Sequence, residues 1–230
     1  MSGGIPSKSP GSPGSPGSAG DSLLDVVPTL VQGLSAEARD EDEQMECLFQ
    51  LSQIIDSSFG DRSYQLCASL VEHGGVACLA RLCGHPHEWL HQTAMLVLGN
   101  LAADFTDVQA AFKEVGGFAL LIPHIFSESP STLTFALGAI RNTCGDRDCV
   151  AIMQKLGAMR RLQELSNSHD PTVSEYAMGC LHNATEVIAA TLATRQAVIM
   201  QRRNSSICIQ RHTRGHMMRR KVQDDGTLGR

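Results

Sequence analysis

Ala94-Met95-Leu96-Val97-Leu98-Gly99-Asn100-Leu101 returns as Ala136-Leu137-Gly138-Ala139-Ile140-Arg141-Asn142-Thr143 and again as Ala177-Met178-Gly179-Cys180-Leu181-His182-Asn183-Ala184. The asparagines are therefore 42 and 41 residues apart, with Ala six places before each and an aliphatic residue or Met five and two places before. A second landmark keeps the same phase: Gly74-Gly75, Gly116-Gly117 and Gly157-Ala158, each followed by a leucine, Leu79, Leu121 and Leu162. Self-similarity at this period means a stacked-repeat solenoid, because a single unit cannot bury its own apolar face and must lean on a neighbour.

Composition agrees. The 230 residues are 42% hydrophobic and only 4% aromatic, and strand-like alternation is hard to find, so the fold class is all-α. Eight cysteines lack metal or disulfide spacing, the tightest pairs, Cys78/Cys83 and Cys144/Cys149, being C-x4-C. Most fall in apolar helical stretches, where a thiol acts as a small hydrophobe and a reducing compartment is implied. With no signal peptide and no apolar run of spanning length, a soluble, cytoplasmic chain is expected, with nuclear or cytoskeletal association left open. The net charge of -5 divides into -12 over residues 1–186 and +7 over residues 187–230.

Sixteen of the first twenty residues are Gly, Ser or Pro, so residues 1–21 read as a disordered leader, in which Ser9, Ser12 and Ser15 each precede a proline. Residues 22–61 read as a degenerate first repeat that lacks its opening helix, as expected where one side has no neighbour. Three full repeats follow, at 62–104, 105–145 and 146–186, each with a short helix, a glycine-marked bend, a second helix, a polar loop and a longer third helix. Glycine at the bend is expected because helices that meet closely leave no room for a Cβ. Gly138 and Gly179 lie inside third helices at a cost of roughly 1 kcal/mol each against Ala, which implies close approach of a neighbouring helix or a ligand backbone.

These units resemble armadillo repeats, as in importin-alpha and beta-catenin, over about residues 23–190. The resemblance implies a right-handed superhelix of three-helix repeats whose third helices line a concave groove, with Asn100, Asn142 and Asn183 at the positions that hydrogen-bond an extended peptide main chain. An amide suits that task because it donates and accepts at once. The alternative role is local, with the same asparagines capping or bridging adjacent repeats. Importin-alpha-like receptors carry Trp four residues before the Asn, where this chain has Leu96, Gly138 and Gly179; its one Trp, Trp89, stands elsewhere. Missing tryptophans remove the cation–π slots for lysine stems and argue against a classical import receptor. The acidic body makes a basic partner the electrostatic expectation, although a merely solubilising surface has the same charge.

From Val187 to Lys221 no residue is acidic, and Ile209-Gln210, Arg214-Gly215, Arg219 and Val222 fit the IQ pattern. Residues 187–222 are thus expected as a basic helical tail, with the motif at 209–222 and a disordered end at 223–230. The motif resembles the helices that bind calmodulin or a calmodulin-like light chain: Ile209 and Val222 as apolar anchors, Arg214 and Arg219 toward acidic rims, and Gly215 for close approach. Docking on the chain's own acidic body, or contact with acidic lipid or nucleic acid, would use the same charge. Arg202-Arg203-Asn204-Ser205 has the form of a basophilic kinase site, with phosphate on Ser205 opposing an acidic partner.

Cys83, His85, His87 and His91 crowd one loop, but a solvated loop explains them without metal. No phosphate loop, nucleophile elbow or acid-rich metal pattern is present. The sequence therefore reads as a non-enzymatic, cofactor-free interaction scaffold or adaptor holding a protein partner in its groove and calmodulin or a light chain on its tail. An importin-alpha-like transport receptor and a component of a cytoskeletal or ciliary assembly are the rival readings.

Overall fold

The third helices of the last two repeats begin where the chain supplies a side-chain acceptor for their free backbone N–H groups, whereas the one that starts at Glu88 has no such cap. Ser129 accepts from Thr132 N, and 41 residues later Asp170 accepts from Thr172 N at 2.8 Å and Val173 N at 3.2 Å. Proline follows each cap, at Pro130 and Pro171, where its missing N–H costs nothing. In the computed structural model, residues 25–35 and 40–227 are described, with 204 and 207–227 in backbone only. The leader at 1–21 lies outside them. Among the described residues there is no strand, and no single helix is long and apolar enough to cross a membrane.

The chain forms two compact units, residues 1–120 and 121–230. The first holds α1 (Val27–Gly33), α2 (Glu41–Asp56), α3 (Asp61–Glu72), α4 (Gly75–Cys83), α5 (Glu88–Asp104) and α6 (Thr106–Glu114). Here α1 packs on α2 and α3, while α5 packs on α2 and α4. Leu30, Leu48, Leu51, Leu79, Leu82, Met95 and Leu98 are buried between them. Each such side chain stabilises the unit by about 1.5–3 kcal/mol relative to exposure. Glu41, Asp42 and Glu43 fill the first turn of α2, where negative charge meets the positive end of the helix dipole.

The helix α7 (Phe118–Leu121) leads into the second unit, which holds a 3₁₀ turn (Ile122–Phe126), α8 (Pro130–Thr143), α9 (Arg147–Lys155), α10 (Ala158–Leu165) and α11 (Pro171–Thr227). The single second helix expected after Gly116-Gly117 is split into α7 and the 3₁₀ turn. Pro123 explains the split, since it has no N–H to continue the α-helical ladder. In this unit α11 packs on α8, α9 and α10, burying Leu137, Ile140, Met153, Leu162, Ala177 and Cys180. The helix α11 is 57 residues long and runs unbroken from the third repeat through the basic tail.

At the bends the expected role of glycine is divided between two residues. Gly74, Gly116 and Gly157 have φ of +75°, +69° and +74°, and a Cβ added at any of them would meet nothing within 4 Å. Their requirement is conformational, because the left-handed region disfavours any residue with a Cβ. Close approach belongs to the following residue: a Cβ on Gly117 would lie 2.2 Å from the Phe112 ring, and one on Gly75 would lie 2.8 Å from Leu70 Cδ2. Ala158 occupies the same place in the last repeat, fully buried, so crowding there is a property of individual repeats.

All seven described cysteines are free thiols. Burial pushes Cys67, Cys83 and Cys144 up to about 12, and Cys180 is raised by the same cause. These are core residues, with Cys180 Sγ donating to Leu137 O at 3.4 Å.

Candidate peptide-binding faces

Helical periodicity sorts the repeated motif into two faces. Ala94, Ala136 and Ala177 are fully buried, as are Leu98 and Ile140 two places before their asparagines. The other side carries the asparagines. In the first unit, Asn100 is exposed on α5, and Leu96, one turn earlier, is 40% exposed. In the second unit, Asn142 on α8 and Asn183 on α11 are half-buried.

Asn183 Nδ2 donates to Arg141 O at 2.7 Å, tying α11 to the backbone of α8. That is the bridging role, and it engages one of the two amide hydrogens while the carbonyl oxygen is an additional acceptor. Cys180 makes a parallel tie one turn earlier, through Leu137 O.

Around this seam lies a pair that the sequence reading did not single out. The Arg141 guanidinium carbon sits 5.0 Å from the centroid of the Tyr176 ring, a cation–π contact between α8 and α11. Of the two flanking glycines, Gly179 makes room for it and Gly138 borders it at ordinary contact distance. A Cβ on Gly179 would lie 2.6 Å from Arg141 Cδ, and one on Gly138 would lie 3.4 Å from Tyr176 Cε2. The close approach expected at Gly179 is therefore made by the stem of a neighbouring arginine. Gly138 and Gly179 stand at the tryptophan positions of importin-alpha-like receptors, so the space an aromatic slot would fill is taken by this chain's own arginine and tyrosine. The signal in the sequence was positional: Arg141 directly precedes Asn142, and Tyr176 lies two turns before Asn183.

The described structures of this kind settle the architecture. An engineered protein matches at a TM-score of 0.63 with 23% identity, over 73% of this chain and 66% of its own. The designed armadillo repeat protein YIII(Dq)4CqI matches at 0.58 with 23% identity, over 68% of this chain and 63% of its own. The fold is an armadillo-type solenoid. A further designed armadillo repeat protein, solved in complex with the peptide (KR)4, matches at 0.58 and 23% identity. The chain thus spans no more than about two thirds of the length of these proteins. No family model and no curated protein matches it.

Elsewhere on the armadillo-type solenoid, the histidine loop is partly engaged by its own backbone, while His87 Nδ1 is buried with no hydrogen-bond partner among the described residues. His87 N donates to His85 Nδ1 at 3.1 Å, and His91 Nδ1 lies 3.0 Å from His85 O. Among the described residues no group of three or more His, Cys, Asp or Glu is arranged to hold a metal ion. On α11 beyond the repeat, Ser205 is exposed, with Oγ donating to Gln201 O at 3.0 Å. The IQ residues Ile209, Gln210, Arg214, Gly215, Arg219 and Val222 lie on the helical backbone of α11, and their side chains are outside the described residues. A cleft of about 880 Å³ runs between Gly145–Arg147 and the α11 face formed by Val187, Leu192 and Val198.

Proposed function

We propose that this chain is a non-enzymatic interaction scaffold that holds an extended segment of a partner protein on its asparagine-bearing third helices. Calmodulin or a calmodulin-like light chain would occupy residues 209–222. The observation that carries the first part is the in-phase recurrence of Asn100, exposed, and Asn142 and Asn183, half-buried, on third helices whose alanines are fully buried. Amides so placed pair with main-chain N–H and C=O groups regardless of the partner's sequence. The match to a designed armadillo protein that carries a peptide lends support. Peptide capture by an Asn142→Ala, Asn183→Ala variant should fall while its helical content is retained; unchanged capture would defeat this reading.

The tail reading rests on the motif and on helical backbone throughout 209–222. A basic amphipathic helix of that kind lays apolar anchors into a groove with acidic rims. Calmodulin pull-downs with and without calcium, comparing the wild type with Ile209→Glu, Arg214→Glu, decide it. Equal recovery by both proteins would remove calmodulin from the reading. The repeat boundaries at 62–104, 105–145 and 146–186, a tail beginning at 187, phosphorylation of Ser205 and a cytoplasmic location belong to the same proposal.

A further inference from the structure

We infer that the asparagine face of the second unit selects an acidic peptide, with Arg141 as the residue that receives its carboxylate. The inference rests on the peptide-binding reading and specifies the chemistry of the occupant. Arg141 is the one charged residue of α8. Among the described residues no carboxylate comes within ion-pair distance of it, so none of them compensates its positive charge. Its position is nevertheless fixed: the stem lies against Gly179, the guanidinium stacks over Tyr176, and the backbone carbonyl is held by Asn183. A planar cation stacked on a ring keeps its N–H edges free for bidentate pairing with a carboxylate, and immobilising it beforehand lowers the entropic cost of binding. Asn142 is the next residue in the chain, and Asn183, bonded to the Arg141 carbonyl, keeps its own amide carbonyl as an acceptor for a peptide main chain.

The overall acidity of the repeats does not oppose this assignment, because it is unevenly divided. Residues 1–120 hold 5 Lys+Arg against 15 Asp+Glu, whereas residues 121–186 hold 5 against 7. The second unit as a whole, residues 121–230, holds 14 against 9 and is net positive. The basic-partner expectation drawn from the acidic body thus belongs mainly to the first unit, which carries ten of the twelve excess negative charges. In the second unit, the places where a basic peptide would find aromatic slots are glycines covered by Arg141 and Tyr176. A lysine stem directed there meets like charge.

The test uses the full chain and two rhodamine-labelled octapeptides, (DE)4 and (KR)4, titrated by fluorescence anisotropy at physiological salt. Each peptide is compared between wild type and Arg141→Gln, with Arg141→Lys as a second variant that keeps the charge but loses the planar fork. The expected result is that (DE)4 binds and weakens about tenfold in Arg141→Gln and less in Arg141→Lys, while (KR)4 is unaffected or gains. Equal (DE)4 affinity for wild type and Arg141→Gln overturns the inference. So does binding of (KR)4 alone, lost in Asn142→Ala, Asn183→Ala, although that outcome preserves the peptide-binding reading. Failure of both peptides to bind overturns inference and reading together.

Discussion

Replacing Gly138 and Gly179 by alanine makes the same chemical change at in-phase positions of two third helices, and the structure assigns the two substitutions different outcomes. In a helix interior, alanine is favoured over glycine by about 0.8–1.0 kcal/mol. At Gly138 the new Cβ would meet Tyr176 Cε2 at 3.4 Å and Cδ2 at 3.8 Å, ordinary contact, so the full gain of about 1 kcal/mol should appear. At Gly179 the Cβ would lie 2.6 Å from Arg141 Cδ and 3.2 Å from Cγ. The arginine stem must swing away, and a half-buried cation–π contact worth about 1 kcal/mol goes with it. The net effect of Gly179→Ala is therefore near zero. Urea denaturation followed by helical circular dichroism reads both, and about 1 kcal/mol corresponds to roughly 2–4 °C in Tm for a chain of this size. An Arg141→Ala background removes the obstruction, so there Gly179→Ala should recover the stabilisation seen at Gly138. Equal stabilisation by both substitutions in the wild-type background would refute the packing argument.

At the bends, Gly157→Ala should cost about 1–2 kcal/mol through its left-handed backbone, and Gly117→Ala about 1–3 kcal/mol through collision with Phe112; comparable stability of both variants to wild type in urea would contradict the division of labour described above. Asn183→Ala should cost about 1 kcal/mol, having lost its bond to Arg141 O, whereas exposed Asn100→Ala should stay within about 0.5 kcal/mol, a difference readable as Tm. The raised thiols predict alkaline sensitivity. Cys67, Cys83 and Cys144 are held neutral in the folded chain to about 12 from an ordinary value of 9.0. The unfolded chain thus loses those protons first, and stability present below pH about 8.5 should fall progressively as pH rises toward 11. Thermal scans from pH 7 to 10.5 follow that loss, and the same thiols should react with Ellman's reagent at pH 8 only after denaturant is added.

The repeat period was legible because it is written by residues that the backbone and core demand: Gly74, Gly116 and Gly157 for their positive φ, and Ala94, Ala136 and Ala177 for closely packed helices. The split second helix followed from Pro123, a local signal that the period overrode in the sequence reading. Arg141 and Tyr176 were not legible as a pair, because a contact between residues 35 positions apart depends on the rotamers and register of two helices. What could be read was the vacancy, glycine where an aromatic residue stands in importin-alpha-like chains. Its occupant required side-chain geometry. The bridging bond of Asn183 was weighed from sequence as an alternative to peptide binding, and the structure provides it without consuming the whole amide.

The continuity of α11 gives the protein a lever with no joint. From Asn183 to Ile209 the helix advances about 39 Å at about 1.5 Å per residue, and between Pro171 and Gly215 its only glycine is Gly179, pinned against Arg141. On the proposed reading, a partner that gripped residues 209–222 would pull or twist the same rod that packs on the third repeat. For the tail to fold back along its own repeats, that rod must first melt at the expense of consecutive backbone hydrogen bonds. On that reading, occupancy of the tail and rigidity of the last repeat would be mechanically one property of this chain.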